Sequence, residues 1–304
     1  MVFCCAQYQA LNRCTLYYTV YMILIFFIGA LIAGALIGSF LNVVIYRHNT
    51  GLSVAHGRSQ CFVCGKKLHW YELIPVVSFI LQKGRCRGCK TKVSWQYPFV
   101  ELTTALLFLA VVYRQISLYD IFSGIPDGLV YSVFLVFYYF CVVSLLVIIS
   151  VYDIRHKIIP NSFVYAFIVL AVAKLLFFTY LFAIPPSTAD WLNLCAPILV
   201  AAPFAFLWWV SKGMWMGFGD AKLAFGIGAL LGFPFGLSAV VIGFWVGALY
   251  GLVMVALSTF APHYTQTKIK LSSEIPFAPF LIIGVLIVLF TRVDVLGLAQ
   301  LFNA

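Results

Sequence analysis

Long apolar runs broken by short polar connections set the pattern of this chain. Windows of about 20 apolar residues mark spans at 17–46, 97–113, 129–151, 161–183, 192–210, 221–233, 236–260 and 276–291. Strand alternation is absent, and a segment in hydrocarbon must satisfy its backbone N–H and C=O groups internally, so each span reads as a helix. The sixth is short for a bilayer crossing. The first is too long for a signal-peptide core and lacks a clear small-residue cleavage site, so it is expected to stay in the mature protein. The fold class is therefore an all-α polytopic membrane protein of about eight transmembrane helices, with a small polar loop domain between the first two. Three parts are expected: 1–46, an N-terminal segment and first helix; 47–96, the loop; and 97–304, the helical bundle.

Composition agrees with that class. The chain is 64% hydrophobic and 9% charged, against roughly 25% charged in soluble domains. The net charge of +10 invites a nucleic-acid reading, but eight crossings sort the Lys and Arg residues unevenly. Fifteen fall on one side, nine of them in 47–96; Arg13, Arg114 and Arg292 fall on the other, and Lys174 lies inside the fourth span. Basic residues accumulate on the cytoplasmic side, so the loop is expected inside and both termini outside. The charge reports topology, and no nucleic-acid partner is expected.

The loop carries Cys61-Phe62-Val63-Cys64 and Cys86-Arg87-Gly88-Cys89, with 21 residues between the pairs. Two CxxC knuckles near zinc-ribbon spacing can close a tetrahedral thiolate site, and four protein ligands leave no position open for catalysis. Surrounding basic residues favour thiolates. Disulfides or spare thiols are the alternatives, and a reducing cytoplasm disfavours the first. A structural zinc held by Cys61, Cys64, Cys86 and Cys89 is expected to supply folding energy to a loop too short for an ample core. His48, His56 and His69 are spare, and Glu72 and Glu101 are expected to form local ion pairs, with a polar contact to substrate or cofactor as the alternative. Cys141 and Cys195 read as small apolar packing residues.

Two aspartates stand out. Asp220 lies in Met216-Gly217-Phe218-Gly219-Asp220, at a glycine-flanked turn where a polar connection meets an apolar helix. Asp153 ends the third span, where the helix dipole disfavours an acid. Ionisable groups at such depth are costly and point to function. Two carboxylates at one site share a proton, so one can activate water while the other protonates a scissile carbonyl. The other acids lie on the outer side or lack a glycine context. Gly217 and Gly219 could let an extended substrate backbone come alongside. Lys174 is expected to snorkel toward the outer interface; Pro276 and Pro279 read either as a simple helix start, where a missing N–H is tolerated, or as a break whose free carbonyls line a substrate groove near the dyad.

These motifs in this order resemble the type IV prepilin peptidases, a GxGD intramembrane aspartyl protease family. The resemblance runs from GSFLNVVIYR (38–47) through the double CxxC loop with WYELIP (70–75), YPFVE (97–101), YDIRHKIIP (152–160), MGFGDAKL (216–223) and IPFAPF (275–280). Asn161 stands where members often carry an acid, and Ala278 where a glycine is common. The resemblance implies Asp153 and Asp220 as catalytic residues. It also implies cytoplasmic-side removal of a short basic leader from prepilins and pseudopilins, in a bacterial inner membrane. Methylation of the new N-terminus from S-adenosylmethionine is implied by resemblance alone, as are pilus or secretion assembly partners. Membrane lipids with anionic headgroups would help hold the basic leader. Two other classes stay open: a zinc-stapled membrane scaffold without catalysis, and an ion carrier using Asp153, Asp220 and Lys174.

Overall fold

The computed structural model describes residues 2–54, 57–122, 128–182, 188–260 and 276–302. His56, Asp127, Lys268, Lys270, Glu274 and Ile275 lie outside these, as do the side chains of Cys4, Cys5, Arg13, Cys14 and Asp120. In chain order the helices are α1 (Val2–Arg47), α2 (Val77–Leu81), α3 (Gln96–Phe122), α4 (Gly128–His156), α5 (Asn161–Phe182), α6 (Thr188–Ser211), α7 (Phe218–Leu231), α8 (Phe233–Phe260), α9 (Ala278–Thr291) and α10 (Leu298–Phe302). No strand occurs among the described residues, only two isolated bridges inside the loop.

Five stretches are long and apolar enough to cross a membrane: Ile23–Arg47, Gln96–Ser117, Gly128–His156, Asp190–Ser211 and Phe233–Thr259. Asn161–Phe177 and Ala278–Thr291 are shorter apolar helices. The expected count of eight crossings is thus reached by neither length nor hydropathy among the described residues. The 14 residues of α7 rise only about 21 Å, against about 30 Å of hydrocarbon. Its limit is chemical: Gly232, at φ +80°, ends the helix, and Asn193 Oδ1 accepts the Phe233 N–H at 3.2 Å as α8 begins.

The chain divides into two compact units, 1–144 and 145–304. In the first, α1 packs along α3 through Gly34 and Gly38. A Cβ on Gly34 would lie 2.6 Å from the Ala105 Cα, and one on Gly38 2.8 Å from the Glu101 Cα. The missing side chains let two backbones approach. Buried Asn42 joins the same seam, donating to the Gly38 and Tyr97 carbonyls at 3.3 Å each. Arg47 then ties down the start of the loop, donating to the Ser53 carbonyl at 2.6 Å.

In the second unit α7 is the central element, packed by α5, α6 and α8. Gly226 meets the Phe167 ring of α5, and a Cβ on Gly228 would lie 2.5 Å from the Ala196 carbonyl of α6. Lys174, expected to snorkel, meets a backbone partner within the unit. Its Nζ donates to the Leu230 carbonyl at 2.8 Å, placing a cation on the last turn of α7 where the dipole favours one. Cys141 and Cys195 are exposed on their helices rather than packed; the apolar face of a membrane helix needs no protein cover.

Candidate active site and metal centre

Asp153 projects from the last turn of α4. That helix ends at His156, and Lys157 adopts a left-handed conformation with φ +53°, its N–H bonded to the Asp153 carbonyl at 2.7 Å. The chain turns through Ile158-Ile159-Pro160 into α5. Asp220 lies in the first turn of α7, with Gly217 extended at the helix start. Both aspartates are buried, at 4% and 8% exposure, and their charges interact across the gap between α4 and α7.

Two further contacts assemble this corner. A Cβ on Gly219 would lie 2.9 Å from the Ile159 Cβ, so the glycine lets the turn after α4 press against the start of α7. Asn161 accepts a hydrogen bond from Lys222 Nζ at 2.8 Å. That ammonium also lies 4.9 Å from the Tyr165 ring centroid and 5.2 Å from that of Phe218. The space beside Gly217 is different: a Cβ there would find only the Asp220 carboxylate oxygen, at 3.7 Å, and the Gly219 nitrogen, at 3.9 Å.

The sequence singles out Ala278 only as a departure from the family pattern and gives no sign that it meets Asp153. Its backbone N–H donates to Asp153 Oδ2 at 3.2 Å, from the first turn of α9. Pro276 and Pro279 thus mark a simple helix start, which supplies a donor and a helix N-terminus. An acid misplaced at the C-terminal end of α4 is compensated by the positive end of α9, and a buried carboxylate finds the hydrogen bond it needs. Two prolines three residues apart were the available signal, but they do not say which acid the amide meets. Phe277 anchors the break, its ring 4.9 Å from that of Phe244 and 6.3 Å from that of Phe204.

The metal centre lies in the other unit. Cys61, Cys64, Cys86 and Cys89 are unbridged, and their sulfurs all fall within 4.8 Å of one another. The Cys61 and Cys89 sulfurs are 3.8 Å apart, the edge of a tetrahedron with bonds of about 2.3 Å. The knuckles repeat one backbone pattern. The Cys61 N–H bonds the Lys66 carbonyl and the Cys86 N–H the Thr91 carbonyl, both at 2.9 Å. Gly65 and Lys90 take matching left-handed positions at φ +67° and +59°. The Thr91 hydroxyl, 3.1 Å from the Cys89 sulfur, helps hold that thiol down at about 6. The donor set fits a tetrahedral metal ion.

Beneath the knuckles is a cavity of about 390 Å³, walled by Asn42, Tyr46, Phe62, Phe79, Tyr97 and both acids, Glu72 and Glu101. Glu72 forms the expected ion pair, with Lys66 at 3.0 Å, and accepts the His69 N–H at 3.0 Å. Glu101 instead accepts the Val76 N–H at 2.7 Å.

With this geometry in place, two family descriptions match: residues 32–115 the Bacterial Peptidase A24 N-terminal domain, and residues 140–252 the Type IV leader peptidase family. A prepilin leader peptidase/N-methyltransferase of Bacillus subtilis is 32% identical over 83% of this chain and 89% of its own length. The chain belongs to the type IV leader peptidase family. It is an enzyme of the peptidase class, as the scaffold and carrier readings are not. Proteins of the same name from Myxococcus xanthus (29% identity; 83% of this chain, 70% of the relative) and Vibrio cholerae (30%; 67% and 77%) are also similar. No solved structure matches the chain. The aspartates fall in the second matched region and the four cysteines in the first.

Proposed function

We propose that this leader peptidase cuts prepilins and pseudopilins with Asp153 and Asp220 as its catalytic dyad. The observation that carries the reading is two buried, interacting carboxylates on the α4 end and the α7 start, with the Ala278 N–H fixing one of them. One carboxylate takes a proton from water as its oxygen attacks the scissile carbonyl carbon. The protonated partner gives its proton to the carbonyl oxygen, and collapse of the tetrahedral species expels the amine, which takes a proton back. Gly217 is the better candidate for substrate contact, because the space beside it is bounded only by the Asp220 carboxylate and the Gly219 nitrogen. Gly219 serves chiefly to admit Ile159. The excess of basic residues on the loop side supports a cytoplasmic active face.

The second reading is methylation of the new N-terminus, the activity in the relatives' names. The observation favouring it is the cavity, whose two carboxylates and aromatic faces suit a cationic ligand of the size of S-adenosylmethionine. That ligand, when bound, would supply the methyl group; Glu72 and Glu101 would hold its charge and Tyr46 and Tyr97 its apolar faces. The knuckle metal is assigned as structural zinc, on its four thiolates and tetrahedral spacing.

A leader-bearing pilin, incubated with full-length enzyme in lipid, tests both readings by product mass. Asp153→Asn and Asp220→Asn should each leave a folded protein that no longer cuts; cutting by both variants at the wild-type rate sinks the dyad. A methyl mass on the product only when S-adenosylmethionine is present supports the second activity, and its absence refutes it.

A further inference from the structure

Trp95 stands one residue ahead of α3 and is 77% exposed. It extends, at helical spacing, the exposed stripe of Phe99, Leu102, Leu106 and Tyr113. On a helix of membrane-crossing length and hydropathy that stripe faces lipid. Trp95 therefore marks the depth at which the stripe leaves the hydrocarbon, the level that tryptophan favours.

α2 is held at the same depth, because the Phe79 ring lies 4.9 Å from that of Trp95. The other face of α2 has no protein on it: Val77 is exposed, Ile80 is 66% exposed and Leu81 70%. Bulky aliphatic neighbours in water are unfavourable, and here they adjoin a surface that already meets lipid. The chain that follows turns at Lys83 and Gly84, both with positive φ, and carries Arg85, Arg87, Lys90 and Lys92. Residues 47–96 hold nine Lys and Arg against a single acid, Glu72, which Lys66 already pairs.

We infer that α2 is an interfacial foot. Val77, Ile80 and Leu81 enter the headgroup–acyl boundary of an anionic bilayer, and Lys83 with its basic neighbours meets the phosphates. An apolar insertion and a basic patch are the two signals that together hold a segment to such a surface. The foot fixes the metal-binding loop against the membrane from which α1 and α3 emerge. It does not depend on the dyad or on the methyl-transfer reading.

The test uses full-length enzyme carrying Ile80→p-benzoylphenylalanine or Leu81→p-benzoylphenylalanine, with Lys67→p-benzoylphenylalanine on the first knuckle as control. Each is placed in phosphatidylcholine nanodiscs with or without phosphatidylglycerol, irradiated, and read by peptide mass. Lipid adducts are expected at 80 and 81 and not at 67, with severalfold higher yield when phosphatidylglycerol is present. Adducts to protein alone, no adduct, or equal labelling at all three positions overturns the foot. Equal yield in the two membranes overturns its anionic preference.

Discussion

Replacing Glu101 by alanine should loosen a turn more than 20 residues away in sequence. Val76 sits at φ +61° and ψ −50°, with the Val77 N–H bonded to the Pro75 carbonyl at 2.6 Å. This is the γ-turn with positive φ, a rare and strained form, here centred on a β-branched residue. Holding such a residue costs about 1–3 kcal/mol. Its N–H is secured by Glu101 Oε2 at 2.7 Å, from a residue only 6% exposed. Glu101→Ala leaves that N–H without its acceptor, a loss of about 1–3 kcal/mol. At about 2 kcal/mol the Val76 and Val77 amides exchange about 30-fold faster. Glu101→Gln keeps an acceptor oxygen, loses about 0.5–1 kcal/mol, and should accelerate exchange no more than about fivefold. Hydrogen–deuterium exchange on peptides covering 74–82 reads both. Val76→Gly is the control for strain: glycine takes positive φ freely, so exchange should stay level or slow, where Val→Gly at an unstrained site would speed it. Exchange in Glu101→Ala within twofold of wild type would refute the reasoning, as would a tenfold acceleration in Val76→Gly.

Three further outcomes follow from the geometry. Elemental analysis of the purified enzyme should find one zinc per chain, lost in Cys86→Ser together with the protection of residues 60–93 from proteolysis; wild-type protein without bound metal contradicts the assignment. The Glu72 carboxyl is held below its ordinary value, first by the His69 N–H and then by Lys66. Its contribution to loop stability is therefore complete above the unfolded value of about 4.3 and lost as pH falls through the lower folded value. Loop unfolding between neutral pH and about pH 3 should show that loss in wild type and lack it in Glu72→Gln. Gly284→Ala drives a Cβ into the Ala239 carbonyl, whereas a Cβ on Gly251 meets nothing within 4 Å. The first should destabilise by about 1–3 kcal/mol and the second raise stability by up to about 1 kcal/mol, both read as melting temperature in detergent.

Much of this molecule was legible before any coordinates. Helical class and membrane character follow from hydropathy alone, because a chain in hydrocarbon has few ways to satisfy its backbone. The knuckles were legible because CxxC spacing carries its own local turn, and Gly65 and Lys90 complete the same turn twice. Asp153 and Asp220 were conspicuous because charge is scarce in this chain. The break between 221–233 and 236–260 was legible to within three residues of Gly232, but the Asn193 contact that fixes the start of α8 was not.

What the tertiary structure alone decided is which partners these residues meet. Ala278 reaches Asp153 from 125 residues away, Lys174 caps a helix it does not belong to, and Glu101 governs a turn at Val76. Gly219, singled out for substrate contact, is filled by Ile159. Sequence patterns report the cost of a residue in its local setting: a charge in an apolar run, a proline at a helix start, a glycine in a turn. The group that offsets the cost is brought in by packing between distant segments, and that leaves no trace in the periodicity of either one.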